Sequence, residues 1–143
     1  MTVPNWVADA IFYQIFPDRF ANGDTSNDPF NVKPWGSPPT AHGFMGGDFR
    51  GVIQNLDYLL DLGINAIYLN PVFLSSSTHR YNTTDYYRID PRLGSKADFD
   101  DLIKNAHQKN MRIILDGVFN HCGRGFFAFN DILENQEHSP YKE

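Results

Sequence analysis

Three short apolar runs punctuate the chain, at residues 10–16 (AIFYQIF), 64–69 (INAIYL) and 111–115 (MRIIL). Each is rich in β-branched or aromatic residues and too brief for a helix, the pattern of a strand buried on both faces. Each closes on a breaker or a polar group: Pro17, then Asn70 with Pro71, then Asp116. Between the first two runs, Val52, Leu56, Leu59 and Leu60 recur at helical spacing, and Gly63 stands where a left-handed C-terminal cap belongs. Between the second and third, Phe99, Leu102, Ile103 and Ala106 mark the apolar face of another helix. Ser95 with Asp98 has the form of a capping box at its start, and Lys109 and Asn110 end it.

The predicted order is strand, helix, strand, helix, strand, which argues for parallel strands joined by helical crossovers. The connections are lopsided. Each helix runs almost directly into the next strand, whereas the strands are followed by the long segments 18–48 and 72–94, which show no helical or strand period and are read as loops. Function therefore gathers at the C-terminal ends of the strands, as in a (β/α)8 barrel. A doubly wound open sheet fits the same alternation, but no GxGxxG or GxxxxGK[ST] follows a strand. The expected fold is α/β, the first three βα units of a (β/α)8 TIM barrel. It is incomplete as given, because eight strands take roughly 250 residues. Residues 122–143, with an apolar FFAF and a weakly amphipathic NDILENQEH, cannot supply five more strands.

Composition narrows the partners. With 143 residues, 41% hydrophobic and 15% aromatic, the chain suits one globular domain. A net charge of −5 without any Lys/Arg run argues against nucleic acid. Cys122 stands alone, so neither an intrachain disulfide nor a thiolate cluster can form. No apolar stretch approaches the ~20 residues needed to span a bilayer. The opening MTVPNWVADA lacks the basic start and apolar core of a signal peptide, so the expected localisation is cytoplasmic.

Three constellations could carry chemistry. Asn22, Asp24, Asn27 and Asp28, joined by Gly46, Gly47 and Asp48, offer oxygen donors on a flexible loop, which suits a hard cation such as Ca²⁺. The same residues are good turn formers, and their spacing is not that of an EF-hand. His79, Tyr81, Asp85, Tyr86 and Tyr87 combine rings that stack on sugar faces with groups that bind hydroxyls; the alternative is a tyrosine-rich loop packed on the rim. Asp116, Asn120 and His121 leave the third strand together. Asp116 and His121 could be a metal pair, an acid–base pair or a structural hydrogen-bonded pair. Asp18 and Arg19, just past the first strand, present the same ambiguity, with a plain ion pair as the simpler outcome.

Taken in order, IFYQIFPDRFANGD, GGDFRGV, LGINAIYLNPVF, HRYNTTDYYRIDP and RIILDGVFNH resemble the start of the α-amylase family of glycoside hydrolases, closest to its cyclomaltodextrinase, neopullulanase and maltogenic amylase branch. The resemblance implies that Asp116 supports the catalytic centre, that His121 hydrogen-bonds the sugar in subsite −1, and that Tyr81 stacks on it; His79, from the same loop, is expected to bind substrate with them. It implies a structural Ca²⁺ on Asn22, Asp24, Asn27, Asp28, Gly46 and Asp48, with no such role for Asn120. It further implies a retaining α-glucan hydrolase acting on α-1,4 bonds of starch, maltodextrins or cyclodextrins. The family's nucleophile and general acid are expected beyond Glu143, so the 143 residues alone are expected to be inactive. Residues 1–121 would belong to the barrel and 122–143 to the start of a domain inserted after the third strand. The alternatives are a non-catalytic glucan-binding or assembly chain, an α-1,6-glucosidase or a glucanotransferase. The expected partner is an α-glucan or cyclodextrin, with homo-oligomers possible.

Overall fold

The computed structural model describes residues 2–142. Along the chain run β1 (Phe12–Ile15), α1 (Phe49–Gln54), α2 (Leu56–Asp61), β2 (Ala66–Leu69), β3 (Phe73–Ser75), β4 (Thr83–Ile89), α3 (Lys96–Gln108), β5 (Arg112–Leu115) and α4 (Phe127–Asn135), with short 3-10 turns between. The three apolar runs become β1, β2 and β5, which pair in parallel in that spatial order. Register aligns their C-terminal residues, Ile15 with Leu69 and Leu69 with Leu115. The groups just past the strands, Pro17, Asn70 and Asp116, are therefore delivered to one rim.

Only β2 matches the expectation of a strand buried on both faces, with Ala66, Ile67 and Leu69 fully enclosed. The outer strands do not. Phe12 in β1 is 50% exposed and Leu115 in β5 is 37% exposed, because these strands form the two edges of a three-stranded sheet and lack a neighbour on one side.

Helices cover one face. Phe49, Val52, Leu56 and Leu59 from α1 and α2, with Leu102 and Ala106 from α3, pack on Ile15, Ile67 and Leu69 in one core. Each such Leu or Ile contributes about 1.5–3 kcal/mol by leaving water. The single helix expected around Val52–Leu60 is two. At Asn55 the backbone leaves the helical region (φ −108°, ψ 10°), and the Asn55 side-chain amide donates to the Gly51 carbonyl at 2.8 Å. Both helix-to-strand turns are Schellman caps. Gly63 (φ 79°) and Asn110 (φ 57°) occupy the left-handed position, with Ile64 N–H donating to Leu59 O at 3.1 Å and Met111 N–H to Ala106 O at 2.9 Å. These tight caps explain how each helix turns straight into its strand. The Ser95–Asp98 capping box forms as expected.

Segment 72–94 is not simply a loop. It holds the antiparallel hairpin β3–β4, whose longer strand TTDYYRI alternates too weakly to show a buried face. The chain just past β5 packs against this hairpin: Gly123 N–H donates to Thr83 O at 2.7 Å, and Phe126 meets Tyr86 edge-on at 5.6 Å. Among the described residues no helix is long and apolar enough to cross a membrane.

Candidate active site and cation loop

Asp116 is fixed by backbone before its side chain does anything. Its N–H donates to Leu69 O at 3.0 Å, carrying the parallel ladder one residue past β5. On that platform its Oδ2 accepts the Tyr81 hydroxyl at 2.6 Å. The hydrogen bond to the carboxylate, with burial second, pushes the Tyr81 phenol up to about 12. Tyr68 on β2 is also pushed up, by burial first and the same carboxylate second.

The other predicted residues converge on Tyr81. His79 stacks on its ring at 6.0 Å with 26° between planes, and His79 Nδ1 accepts the Tyr81 backbone N–H at 3.1 Å. His121 Nε2–H donates to the Tyr81 carbonyl at 2.8 Å, which makes Nδ1 the acceptor for the Asn120 amide at 3.3 Å. His79, Tyr81, Asp116 and His121, spread over two loops, thus form one connected group. Tyr86 serves it indirectly: its hydroxyl lies 2.6 Å from the Val118 carbonyl and 2.8 Å from that of His121, pinning the segment between Asp116 and His121. Asp85 and Tyr87 do not join. Asp85 accepts the Tyr87 backbone N–H at 2.8 Å, and Tyr87 is 89% exposed.

Sequence reasoning missed Arg80 and Asp90. Arg80 is 1% exposed and has a positive φ of 59°, and its Nε donates to Asp90 Oδ2 at 2.7 Å. Burial pushes the guanidinium below its usual value, opposed by the Asp90 charge. Asp90 also accepts Arg92 Nη2 at 2.7 Å. The available signal was two arginines on either side of a lone acid at a strand end.

The second cluster lies on the 18–48 loop. Asp18 is buried; it pairs with Arg19 at 3.1 Å and accepts the Met45 and Gly46 N–H groups, so it holds the GGD turn. Asp48, counted among the ligands implied by the resemblance, spends its acceptor sites on four N–H groups. Oδ1 takes Gly23 N and Gly51 N, and Oδ2 takes Asp24 N and Asn27 Nδ2. Asp48 thereby caps α1 and shapes the loop. Asn22 Nδ2 donates to Asp28 Oδ1 at 2.8 Å. Turning both amide groups this way leaves Asn22 Oδ1 and Asn27 Oδ1 buried without a hydrogen-bond partner among the described residues. A buried unpaired oxygen is costly unless a donor or cation meets it. Gly46 (φ 82°) lies against the Asn22–Asp28 pair, where a Cβ would clash with Asp28 Oδ1 and Asn22 Nδ2. No three His, Cys, Asp or Glu side chains converge among the described residues; the oxygens gathered on this loop are those of amides and carboxylates, the chemistry of hard-cation sites.

Comparison with known proteins decides the fold family. The family described as the α-amylase catalytic domain matches residues 14–143. The chain belongs to the α-amylase family. It is similar to the cyclomaltodextrinase of Thermoanaerobacter pseudethanolicus, with 57% identity over 96% of this chain and 24% of that protein. It is similar also to the intracellular maltogenic amylase of Bacillus subtilis, with 48% identity over 98% of this chain and 24% of that protein. Among solved structures, the cyclic α-maltosyl-(1→6)-maltose hydrolase of Arthrobacter globiformis superposes with a TM-score of 0.96 at 51% identity, covering 99% of this chain and 32% of that one. The chain spans about a quarter of the length of the curated relatives it matches. The expected α/β architecture, three βα units of the α-amylase TIM barrel, stands.

Proposed function

We propose that this chain is part of a retaining α-glucan hydrolase acting on α-1,4-glucosidic bonds of starch, maltodextrins or cyclodextrins. The observation that carries the reading is the hydrogen bond from Tyr81 to Asp116, with His79 stacked on Tyr81. It sets an aromatic face and a carboxylate side by side on the rim where barrel enzymes bind substrate. Tyr81 and His79 give a sugar ring an apolar surface. His121 closes the wall by donating to the Tyr81 carbonyl, its Nδ1 would accept a sugar hydroxyl in place of the Asn120 amide, and Asp116 supports the centre.

Retaining hydrolysis needs two carboxyl groups about 5–5.5 Å apart, one nucleophile and one acid/base. Among the described residues Asp116 is the only carboxylate hydrogen-bonded into the Tyr81 group. The 143 residues by themselves are therefore expected not to turn glucan over.

A structural Ca²⁺ belongs to the same reading. Asn22, Asp24, Asn27, Asp28 and the Gly46 carbonyl would hold it, with Asp48 shaping their loop. The ion would satisfy the orphaned Asn22 and Asn27 oxygens and offset the charges of Asp24 and Asp28.

The test is reducing-sugar release from β-cyclodextrin and soluble starch by the full-length protein, beside calorimetric titration of maltotriose. Cyclic α-maltosyl-(1→6)-maltose is included as a substrate because of the likeness to the Arthrobacter globiformis enzyme. Turnover of any of these supports the glucan reading, and the products separate hydrolysis from transfer. No binding and no turnover across the set overturns it.

A further inference from the structure

Arg80 sits between the two rings of the candidate sugar face, yet its own side chain turns the opposite way, into the protein. Nε donates to Asp90 Oδ2 and Nη1 to the Thr78 carbonyl, each at 2.7 Å. The backbone N–H donates to Ser77 Oγ at 3.2 Å, and the carbonyl accepts the Thr83 hydroxyl at 3.2 Å. Asp90 is 0% exposed and is gripped from the other side by Arg92 Nε and Nη2, while its N–H donates to Val72 O. The tip of the β3–β4 connection is thus bolted to the base of the hairpin.

Two features of this arrangement cost stability. A left-handed backbone at a residue with a Cβ is unfavourable. A buried ion pair gains little over an apolar pair of the same volume, because both charges lose their hydration; here Arg80 Nη2 is also buried without a partner among the described residues. The arrangement does supply direction. With φ at 59°, the chain reverses locally, so Arg80 points inward while His79 and Tyr81, its neighbours on either side, stack on each other and the Tyr81 hydroxyl reaches Asp116.

We propose that Arg80, through its buried pair with Asp90, is a positioning residue that sets the His79–Tyr81 face and brings the Tyr81 hydroxyl onto Asp116. As a role in sugar binding, this rests on the glucan reading above; as a statement about where Tyr81 stands, it does not.

The experiment uses the full-length protein with ¹³Cζ-labelled tyrosine and follows the Tyr81 resonance through an alkaline titration. In the unmodified protein Tyr81 is expected to titrate at about 12, held up by its hydrogen bond to Asp116. Arg80→Gly tolerates the positive φ but removes the guanidinium, and its Tyr81 is expected to titrate close to the ordinary 10 while the other tyrosines stay put. Arg80→Lys keeps the charge without the two-pronged contact to Asp90 and Thr78, and is expected to fall between. If Arg80→Gly does not fold, Arg80→Lys decides alone. A folded variant with Tyr81 titrating as before overturns the proposal. In parallel, maltotriose affinity is expected to weaken tenfold or more in Arg80→Gly. Unchanged affinity with a shifted Tyr81 overturns the role in binding. If the unmodified protein binds no glucan while Tyr81 still shifts, the glucan reading fails and the placement of Tyr81 by Arg80 stands.

Discussion

The Tyr81 hydroxyl donates to Asp116 Oδ2 at 2.6 Å across 35 residues of sequence, tying the hairpin connection to the end of β5. The phenol's value is raised in the folded state to about 12 from an ordinary 10. A group whose folded value is raised contributes stability that is complete below its unfolded value and is lost as pH rises through the folded one. The contribution of Tyr81 is therefore intact at neutral pH and disappears between pH 10 and about 12. Urea unfolding across that window should show Tyr81→Phe losing less stability with pH than the unmodified protein. At neutral pH the variant should be less stable by about 1.5 kcal/mol, the lower end for a hydrogen bond to a charged group, because the site is only partly buried. Equal alkaline slopes in the two proteins would contradict this.

The loop at Asn22–Asp48 makes a separate prediction. If a cation satisfies the two orphaned amide oxygens, the melting temperature should rise with added calcium and fall with a chelator. A ligand at a hundred times its Kd adds about 2.7 kcal/mol to the folded state. Asn22→Ala and Asp28→Asn should each abolish the calcium-dependent part while leaving a folded protein. Gly46→Ala should do the same and also lower the calcium-free melting temperature, since its φ of 82° is strained for a residue with a Cβ. Calorimetry showing no heat at millimolar calcium would remove the ion from the site.

How much of the fold and site is legible in the sequence depends on the range of each signal. Strands β1, β2 and β5, helix α3 and the caps at Gly63, Ser95 and Asn110 are local patterns, and these are legible in the sequence. The alignment of Tyr81, His79 and His121 with Asp116 rests on loop geometry, which no period encodes; there the family resemblance gathers residues that composition alone leaves ambiguous. The hairpin β3–β4 escaped because neither face of TTDYYRI is continuously apolar, although its β-branched and aromatic run was a usable signal. The edge exposure of β1 and β5 escaped for a different reason. An apolar run says that a strand wants cover, not that cover is present on both sides. Arg80 and Asp90 are invisible to hydropathy, since charged residues ordinarily face water.

Helix α3 offers a local test. The Ser95 side chain accepts the Asp98 N–H at 3.2 Å, and Asp98 Oδ2 accepts the Ser95 N–H at 2.7 Å. Hydrogen bonds from Ser95 foremost, then Arg50, hold Asp98 below its ordinary value of 3.8. A depressed acid contributes stability above its unfolded value and loses it as pH falls through the folded one. The contribution should therefore be constant at neutral pH and vanish below pH 3.8. Ser95→Ala should cost about 1 kcal/mol at neutral pH, measured by urea unfolding, and less in acid. An equal cost at both would show that the cap does not depend on the Asp98 charge.

The sheet edges carry the last prediction. Phe12 and Leu115 lie on the two outer strands, and Ile11 and Phe119 beside them are 54% and 84% exposed. Parallel sheets are ordinarily covered on both faces, and an unpaired, apolar strand edge is a template for another chain. The 143-residue stretch expressed alone is therefore expected to self-associate, with a sedimentation coefficient that rises with concentration. Placing a lysine at either edge, Phe12→Lys or Leu115→Lys, sets a charge where a second sheet would dock, and should shift the distribution toward monomer. The core on the helix side, centred on Ile67, Leu56 and Leu102, is untouched by either change, so the melting transition should remain cooperative. A single monomeric species at every concentration in the unmodified stretch would mean that these edges are already protected by their own loops.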